Sequence, residues 1–302
     1  MDQKMLEELR QIVGVENLWR AEPMSRHTTF RVGGPADVLI APRAEQLAKI
    51  IQLCRRREEP FYIIGNGSNL LVGDGGIRGV VIDMTRHVDE LLIKGKKITA
   101  GAGVMLSRAA NLAAEHRLTG MEFAAGIPGT VGGAVTMNAG AYGGEMKDIV
   151  DHVMVLDREG NEEKVSVDQL QMGYRTSCIP REEYLVTEVV LTLRFGNADA
   201  VRERMNELRK QRAEKQPLEY ASAGSTFKRP EDHFAGKLIM DAGLAGHQIG
   251  GAAVSEKHCG FIINRGNATA ADIRALIEHV QAEVERQFSV VLEPEVRILG
   301  EF

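Results

Sequence analysis

Two glycine-rich segments constrain this 302-residue chain more than any other feature of its sequence. The first, GNGSN at residues 65–69, follows the apolar run FYII directly. The second, AAGIPGTVGGAVTMNAGAYGG at residues 124–144, is longer than a plain connection in a compact domain. Because glycine lets backbone N–H groups approach a ligand closely, both segments are typical of a backbone that binds an anionic group.

The first segment is similar to a dinucleotide-binding fingerprint but lacks two of its requirements. Leu70 stands where the third glycine of G-x-G-x-x-G is needed, and LLVGDGG rather than a helical sequence follows. A tight turn would explain this segment alone. Two such segments with the polar side chains of Ser68, Asn69, Thr130 and Asn138 favour a large dinucleotide cofactor instead. The chain has no GK[ST] sequence, which excludes a P-loop.

The composition narrows the classes of partner. A formal net charge of −5 gives no basic field for a nucleic acid or an anionic membrane, so we expect neither partner. The three cysteines are far apart in the sequence, and the eight histidines show no ligand spacing, so we expect no disulfide framework and no metal site. The first residues lack the pattern of a signal peptide, which predicts a cytoplasmic protein. The oligomeric state stays open, with a monomer expected.

Helical and strand patterns alternate without a repeat, which predicts an α+β fold. The long charged helical pattern ends at Pro217, and shorter helix and strand patterns follow it. We therefore predict a first region over residues 1–218, with an internal boundary near residue 85, and a small α/β domain over residues 219–302. The pattern predicts helices near residues 6–13, 47–57, 106–116, 199–216, 238–244 and 269–284, and strands near residues 61–64, 80–83, 98–100, 153–156, 164–167, 185–195, 260–264 and 290–299.

Six motifs in order resemble those of the UDP-N-acetylenolpyruvoylglucosamine reductase (MurB) family. They are FRVGGPAD at 30–37, IGNGSNLLV at 64–72, GIPGTVGGA with NAGAYG at 126–143, YRTS at 174–177, GSTFKRP at 224–230 and LEPEVR at 292–297. The resemblance implies an FAD-binding region of the vanillyl-alcohol-oxidase type, followed by a substrate-binding domain. It further implies noncovalent FAD, NADPH as reductant, and reduction of an enolpyruvyl UDP-sugar to UDP-N-acetylmuramate in peptidoglycan precursor synthesis.

The resemblance also implies three catalytic residues. Arg175 of YRTS would bind the substrate carboxylate, Ser225 of GSTFKRP would donate a proton to the α-carbon, and Glu295 of LEPEVR would complete the set. Without the resemblance, other interpretations stay open. Arg175 would be a surface or salt-bridge arginine, Ser225 would belong to a turn or a helix N-cap, and Glu295 would be an exposed strand carboxylate paired with Arg297. Alternation along the last predicted strand puts Glu295 on the same side as Glu293 and Arg297.

The remaining site residues are likewise implied by the resemblance. Those expected to bind the cofactor are Gly65, Asn66, Gly67, Ser68, Asn69, Gly126, Ile127, Gly129, Thr130, Gly132, Gly133, Ala134, Asn138 and Arg297. Those expected to bind the substrate are Tyr174, Lys215 and Arg229. The short final domain resembles the family subgroup without the extra tyrosine loop that caps the substrate.

Two other functions fit part of this pattern. An FAD-dependent sugar or alcohol oxidase of the wider superfamily would use the same glycine segments, but it would leave GSTFKRP and LEPEVR unexplained. A non-catalytic nucleotide-binding module would need the glycine segments without any convergence of Arg175, Ser225 and Glu295.

Overall fold

The computed structural model describes residues 1–302, which divide into two compact units. The first unit comprises residues 1–20, 38–66 and 79–212. The second comprises residues 21–37, 67–78 and 213–302. None of the helices is long and apolar enough to span a membrane.

Eight α-helices and eighteen β-strands form these units. The helices are α1 (Gln3–Val13), α2 (Leu47–Arg56), α3 (Leu106–Glu115), α4 (Val131–Thr136), α5 (Ile179–Glu182), α6 (Ala198–Lys215), α7 (Ala235–Asp241) and α8 (Ala270–Phe288). The strands are β1 (Leu18–Pro23), β2 (Pro35–Ile40), β3 (Phe61–Ile64), β4 (Leu70–Val72), β5 (Ile77–Asp83), β6 (Leu91–Lys94), β7 (Lys97–Gly101), β8 (Leu118–Thr119), β9 (Gly140–Ala141), β10 (Gly144–Glu145), β11 (Val150–Leu156), β12 (Glu162–Ser166), β13 (Leu185–Thr192), β14 (Arg194–Phe195), β15 (Gln248–Ile249), β16 (Ala252–Val254), β17 (Ile262–Asn264) and β18 (Arg297–Leu299).

The first unit is built on an antiparallel sheet with the strand order β12-β11-β13-β7-β6. The strands predicted near residues 153–156 and 164–167 are confirmed as β11 and β12, which form a hairpin with Val153 opposite Val165. A second sheet has the order β1-β2-β5-β3, in which β3 and β5 run parallel. Helices α1 to α4 pack their apolar residues into one core, which includes Leu9, Ile50 and Ala109.

The second unit has a core of its own. Helix α8 buries Ile273, Leu276 and Ile277 among residues of α7 and of the sheet β15-β16-β17. The predicted start of α8 is confirmed, because Thr269 and Asp272 form a capping box. Both units combine helices with strands, so the predicted α+β class is confirmed.

The division into units differs from the two contiguous regions predicted from the sequence. Phe30, Val32 and Leu71 come early in the chain, yet they lie in the core of the second unit. Strand β4 also pairs in parallel with β18, which ends the chain. Side chains that are buried against the final 90 residues therefore join that unit, whatever their place in the sequence.

The last predicted strand is mostly irregular. Of residues 290–299, only Arg297–Leu299 form a regular strand, β18. Glu293 and Glu295 both pair with residues 226–228, on either side of the bridge between Phe227 and Pro294, and the backbone partner changes to Asn69 at Arg297. Glu293 and Glu295 flank the bridge at Pro294, whereas the regular strand begins only at Arg297, so the predicted alternation of these three residues stays a prediction.

Candidate active site

The two glycine-rich segments touch each other within the first unit. The Asn66 Nδ2 donates to the carbonyl oxygen of Pro128 at 2.6 Å. A Cβ added to Gly65 would lie 2.4 Å from Thr130 Oγ1, closer than real contacts allow. The close approach of the segments thus depends on glycine at position 65.

The second segment is only partly a loop. Thr130 caps α4, because its Oγ1 accepts from the Gly133 N–H at 3.3 Å. The N–H groups of Val131 and Gly132 donate to the carbonyls of Val104 and Ala102 at 2.8 and 2.9 Å. Two of the backbone N–H groups that we expected to bind a ligand therefore donate to carbonyl groups within the protein instead.

Gly132 and Gly133 differ in what surrounds them. A Cβ on Gly132 would lie 2.7 Å from the Ala102 Cβ, so this glycine is needed for packing inside the protein. Gly133 is exposed, and a Cβ there would meet only Thr130 Oγ1 at 3.3 Å. A ligand could therefore approach α4 at Gly133, whereas Gly132 is covered.

The rest of the first segment belongs to the second unit. Gly67 has a φ of +59°, and a Cβ there would lie 1.9 Å from the carbonyl oxygen of His27. Only glycine fits this position. Asn69 accepts at its carbonyl from the Arg297 N–H at 2.9 Å, and its Nδ2 donates to the carbonyl of Glu295 at 3.0 Å.

Ser225 and Glu295 are brought together in the second unit. The Glu295 N–H donates to the carbonyl of Thr226 at 2.8 Å, and Phe227 forms a β-bridge with Pro294. Thr226 is fully buried, and its Oγ1 accepts from the Ile262 N–H at 3.1 Å. Ser225 and Glu295 are both half-buried on this paired backbone.

Arg175 lies at the tip of a tight turn in the first unit. Gly173 and Thr176 exchange backbone hydrogen bonds at 3.0 and 3.4 Å, and Arg175 has a φ of +54°. Its Nη1 donates to the carbonyl of Gly140 at 3.3 Å. The guanidinium lies 5.4 Å from the ring centroid of Tyr174, whose side chain is 56% exposed.

The other predicted substrate contacts are solvent-accessible cations. Lys215 is the last residue of α6 and is exposed. Arg229 is exposed in the second unit. Its guanidinium stacks over the Phe234 ring at 4.0 Å, and its Nε donates to the carbonyl of His233 at 3.3 Å.

Arg212 is a further candidate site residue that the sequence motifs did not indicate. Its side chain lies beside Gly126, where an added Cβ would be 3.2 Å from Arg212 Cδ. Burial lowers the pKa of this guanidinium, and Tyr142 opposes the shift. Arginine keeps its proton even so, which places a partly buried positive charge beside the second glycine segment. The only sequence signal was its place three residues before Lys215 in QRAEKQP.

Two family models match this chain. The FAD binding domain matches residues 35–166, and the C-terminal domain of UDP-N-acetylenolpyruvoylglucosamine reductase matches residues 216–299.

Full-length relatives carry the same name. The chain is 54% identical to the UDP-N-acetylenolpyruvoylglucosamine reductase of Clostridium botulinum over 96% of its own length and 95% of the relative's. It is 50% identical to that of Caldanaerobacter subterraneus subsp. tengcongensis over the whole of both chains.

Solved structures agree with these matches. The structure of UDP-N-acetylenolpyruvylglucosamine reductase from Thermus caldophilus superposes with a TM-score of 0.80 at 36% identity, covering 91% of this chain and 97% of that one. A variant of Phl p 4, a glucose oxidase, superposes with a TM-score of 0.50 at 13% identity over 65% of this chain and 45% of that one, which is a likeness of fold alone.

Proposed function

This chain belongs to the UDP-N-acetylenolpyruvoylglucosamine reductase family, and we propose that it carries out the family's reaction with Arg175, Ser225 and Glu295. The chain is an FAD-dependent oxidoreductase of cell-wall synthesis. It reduces the enolpyruvyl ether of a UDP-sugar to the lactyl ether of UDP-N-acetylmuramate, with NADPH as the expected reductant. The observation that carries this function is the relative that matches along the whole of both chains.

We further propose that FAD is held by the touching parts of the two glycine segments. Gly65 and Thr130 leave no room for a side chain between them, and Gly133 offers exposed backbone. The partly buried charge of Arg212 beside Gly126 suits an anionic group such as a diphosphate. The residues present therefore fit the cofactor. When bound, FAD supplies the hydride that is added to the β-carbon of the enolpyruvyl group.

Addition at the β-carbon leaves negative charge on the α-carbon and its carboxylate. We assign Arg175 to that carboxylate, because a guanidinium offers two parallel N–H donors in a fixed plane. The left-handed turn at residues 173–176 and the contact with Gly140 O restrict where the guanidinium can lie. Such preorganised donors stabilise developing charge most effectively.

We assign the proton to Ser225. A hydroxyl is a weak acid in water, but the acceptor is a carbanion more basic than the serine alkoxide, so the transfer is downhill, and the alkoxide then regains a proton from water. The Thr226 hydrogen bonds to Gly260, Ile262 and Glu295 fix the backbone next to Ser225. We propose that Glu295, on the paired backbone, helps to fix the geometry of this transfer. The C=C bond is thus converted to CH–CH₃ by one hydride and one proton.

The proposal is tested with the purified protein and the enolpyruvyl UDP-sugar. We expect flavin absorbance that acid precipitation releases into solution, as noncovalent binding requires, and NADPH oxidation that depends on the substrate. UDP-N-acetylglucosamine, which lacks the enolpyruvyl group, serves as the control and should support no oxidation. Oxygen consumption with simple sugars instead of NADPH oxidation would favour the oxidase alternative. A colourless protein that takes up no FAD would overturn both readings.

A further inference from the structure

Asn138 has an unusual environment for a residue expected to contact a cofactor. It is 1% exposed, and its φ of +44° lies in the left-handed region, which asparagine tolerates better than most residues. Its Nδ2 donates to Glu145 Oε2 at 2.6 Å and to the carbonyl of Gly173 at 2.9 Å. Its Oδ1 accepts from the Lys147 N–H at 2.9 Å. Both protons of the amide and its oxygen are therefore used within the protein.

The partners of these three hydrogen bonds lie in different parts of the chain. Glu145 and Lys147 lie in the same loop as Asn138, so those bonds shape the loop. The bond to Gly173 reaches a segment 35 residues further along the chain, at the base of the turn that carries Arg175. Gly140, two residues after Asn138, accepts from the Arg175 guanidinium. Residues 138–140 thus make hydrogen bonds both to Gly173, at the base of the turn, and to the guanidinium of Arg175.

We propose that Asn138 is a positioning residue for Arg175: its side-chain amide fixes the Gly173–Thr176 turn so that the guanidinium meets the substrate carboxylate. This inference rests on the proposed role of Arg175. A displacement of about 1 Å in a group that orients the substrate can cost about 10²-fold in rate. The hydrogen bond to Gly173 is the part of the Asn138 network that can transmit such a displacement to Arg175.

The first test is Asn138→Asp, which keeps the shape, the tolerance of positive φ and the acceptor for Lys147. It removes both N–H donors and sets carboxylate oxygen against Gly173 O and Glu145 Oε2. We expect the rate at which substrate reoxidises the reduced enzyme to fall about 10²-fold. Flavin content and the rate of reduction by NADPH should stay near wild type. A simple loss of structure would lower all three.

Glu145→Gln separates the two roles of the amide. Added to Asn138→Asp, it supplies an amide donor for the new carboxylate and restores the hydrogen bond within the loop. It cannot supply a donor to Gly173. We therefore expect the double variant to regain thermal stability but not the reoxidation rate. This double variant also provides the test if Asn138→Asp alone does not fold.

Gln46 provides a matched control in the same unit. Its side-chain amide also joins two backbone segments: the Oε1 accepts from the Arg43 N–H at 2.8 Å, and the Nε2 donates to the carbonyl of Ile12 at 2.5 Å. Gln46→Glu should lower the unfolding temperature and leave both half-reactions unchanged.

A double-mutant cycle with Arg175→Lys decides whether Asn138 acts through Arg175. If it does, Asn138→Asp adds less than about threefold to the slow reoxidation of Arg175→Lys. Full additivity of the two effects would overturn the inference, as would a wild-type reoxidation rate in Asn138→Asp, or recovery of that rate by Glu145→Gln. Wild-type reoxidation in Arg175→Lys alone would instead refute the proposed role of Arg175.

Discussion

The backbone N–H of Glu295 donates to the carbonyl of Thr226 at 2.8 Å, so the proposed carboxylate lies on the strand-like partner of the segment that begins with Ser225. The other side of the same residue is also held, because the Glu295 carbonyl accepts from Asn69 Nδ2 at 3.0 Å. The main chain at Glu295 is thus fixed by contacts that do not involve its carboxylate. Its side chain can be changed without removing these two hydrogen bonds.

Glu295→Gln should therefore affect turnover far more than folding. We expect turnover to fall by about 10²-fold, the lower end of the range for groups that assist proton transfer, and the unfolding temperature to change little. Glu293→Gln is the matched control: this exposed carboxylate two residues away pairs with Lys228, and an exposed pair contributes little. Equal turnover in the two variants would contradict the assignment of Glu295.

Arg175→Lys should keep the positive charge but lose the planar pair of donors. Loss of one such donor typically costs about 10²–10³-fold in rate. We expect that loss in single-turnover reoxidation by substrate, followed by stopped-flow absorbance. Arg181→Lys, at an exposed arginine that pairs with Glu182, should behave as wild type. A wild-type rate for Arg175→Lys would remove this residue from the carboxylate site.

Gly133→Val tests where the cofactor lies. A Cβ at this position would meet only Thr130 Oγ1 in the protein, so we expect a folded protein with reduced flavin content, measured as the ratio of flavin to protein absorbance. Gly132→Val is the contrasting variant. Its side chain would collide with Ala102, so we expect the free energy of unfolding to fall by about 1–3 kcal/mol, as overpacking does. Full flavin content in Gly133→Val would place the cofactor elsewhere.

Asp272 gives a prediction about stability and pH. Hydrogen bonds from the backbone N–H groups of Thr269 and Gly251 lower the pKa of its carboxyl. A group with a lowered pKa stabilises the fold above its unfolded pKa, about 3.9 for Asp, and that contribution is lost as the pH falls through the folded pKa. Asp272→Asn should therefore cost about 1 kcal/mol at neutral pH.

The cost should shrink as the pH falls below about 4, because wild type then loses the same interaction. Thermal unfolding of both proteins at several pH values measures this difference. Glu278→Gln, on the same helix and in an exposed pair with Arg274, is the control and should show a much smaller effect. A constant difference between wild type and Asp272→Asn at all pH values would contradict the argument.

Local patterns predicted the elements well, since their causes lie within a few residues. The helix predicted from residue 269 begins at the Thr269–Asp272 capping box of α8, and the helix predicted to residue 13 ends at Gly14, after α1. Contacts between residues far apart in the sequence could not be predicted from these local patterns. The packing of Gly132 on Ala102 and the placement of Phe30 in the second core depend on tertiary structure that no short pattern encodes.

In the candidate site, too, local motifs were informative and contacts between distant residues could not be predicted. The motifs identified Arg175, Ser225 and Glu295 through their resemblance to a family, not through physical chemistry. The predicted last strand is interrupted, because its backbone pairs with Thr226 at Glu295 and with Asn69 two residues later, at Arg297. Arg212 was missed because a charged residue on a polar helix gives no sign of burial beside Gly126.

The half-reactions of Ser225→Ala test the central claim most directly. NADPH reduces the enzyme before the enolpyruvyl sugar reacts, so this variant should be reduced at a rate close to wild type. Its anaerobic reoxidation by substrate should be slower by about 10²–10⁴-fold, the usual contribution of a general acid. Ser225→Cys, which restores a proton donor, should recover part of that rate. Stopped-flow absorbance measures both steps. If Ser225→Ala slows both steps equally, or slows neither, Ser225 is not the proton donor.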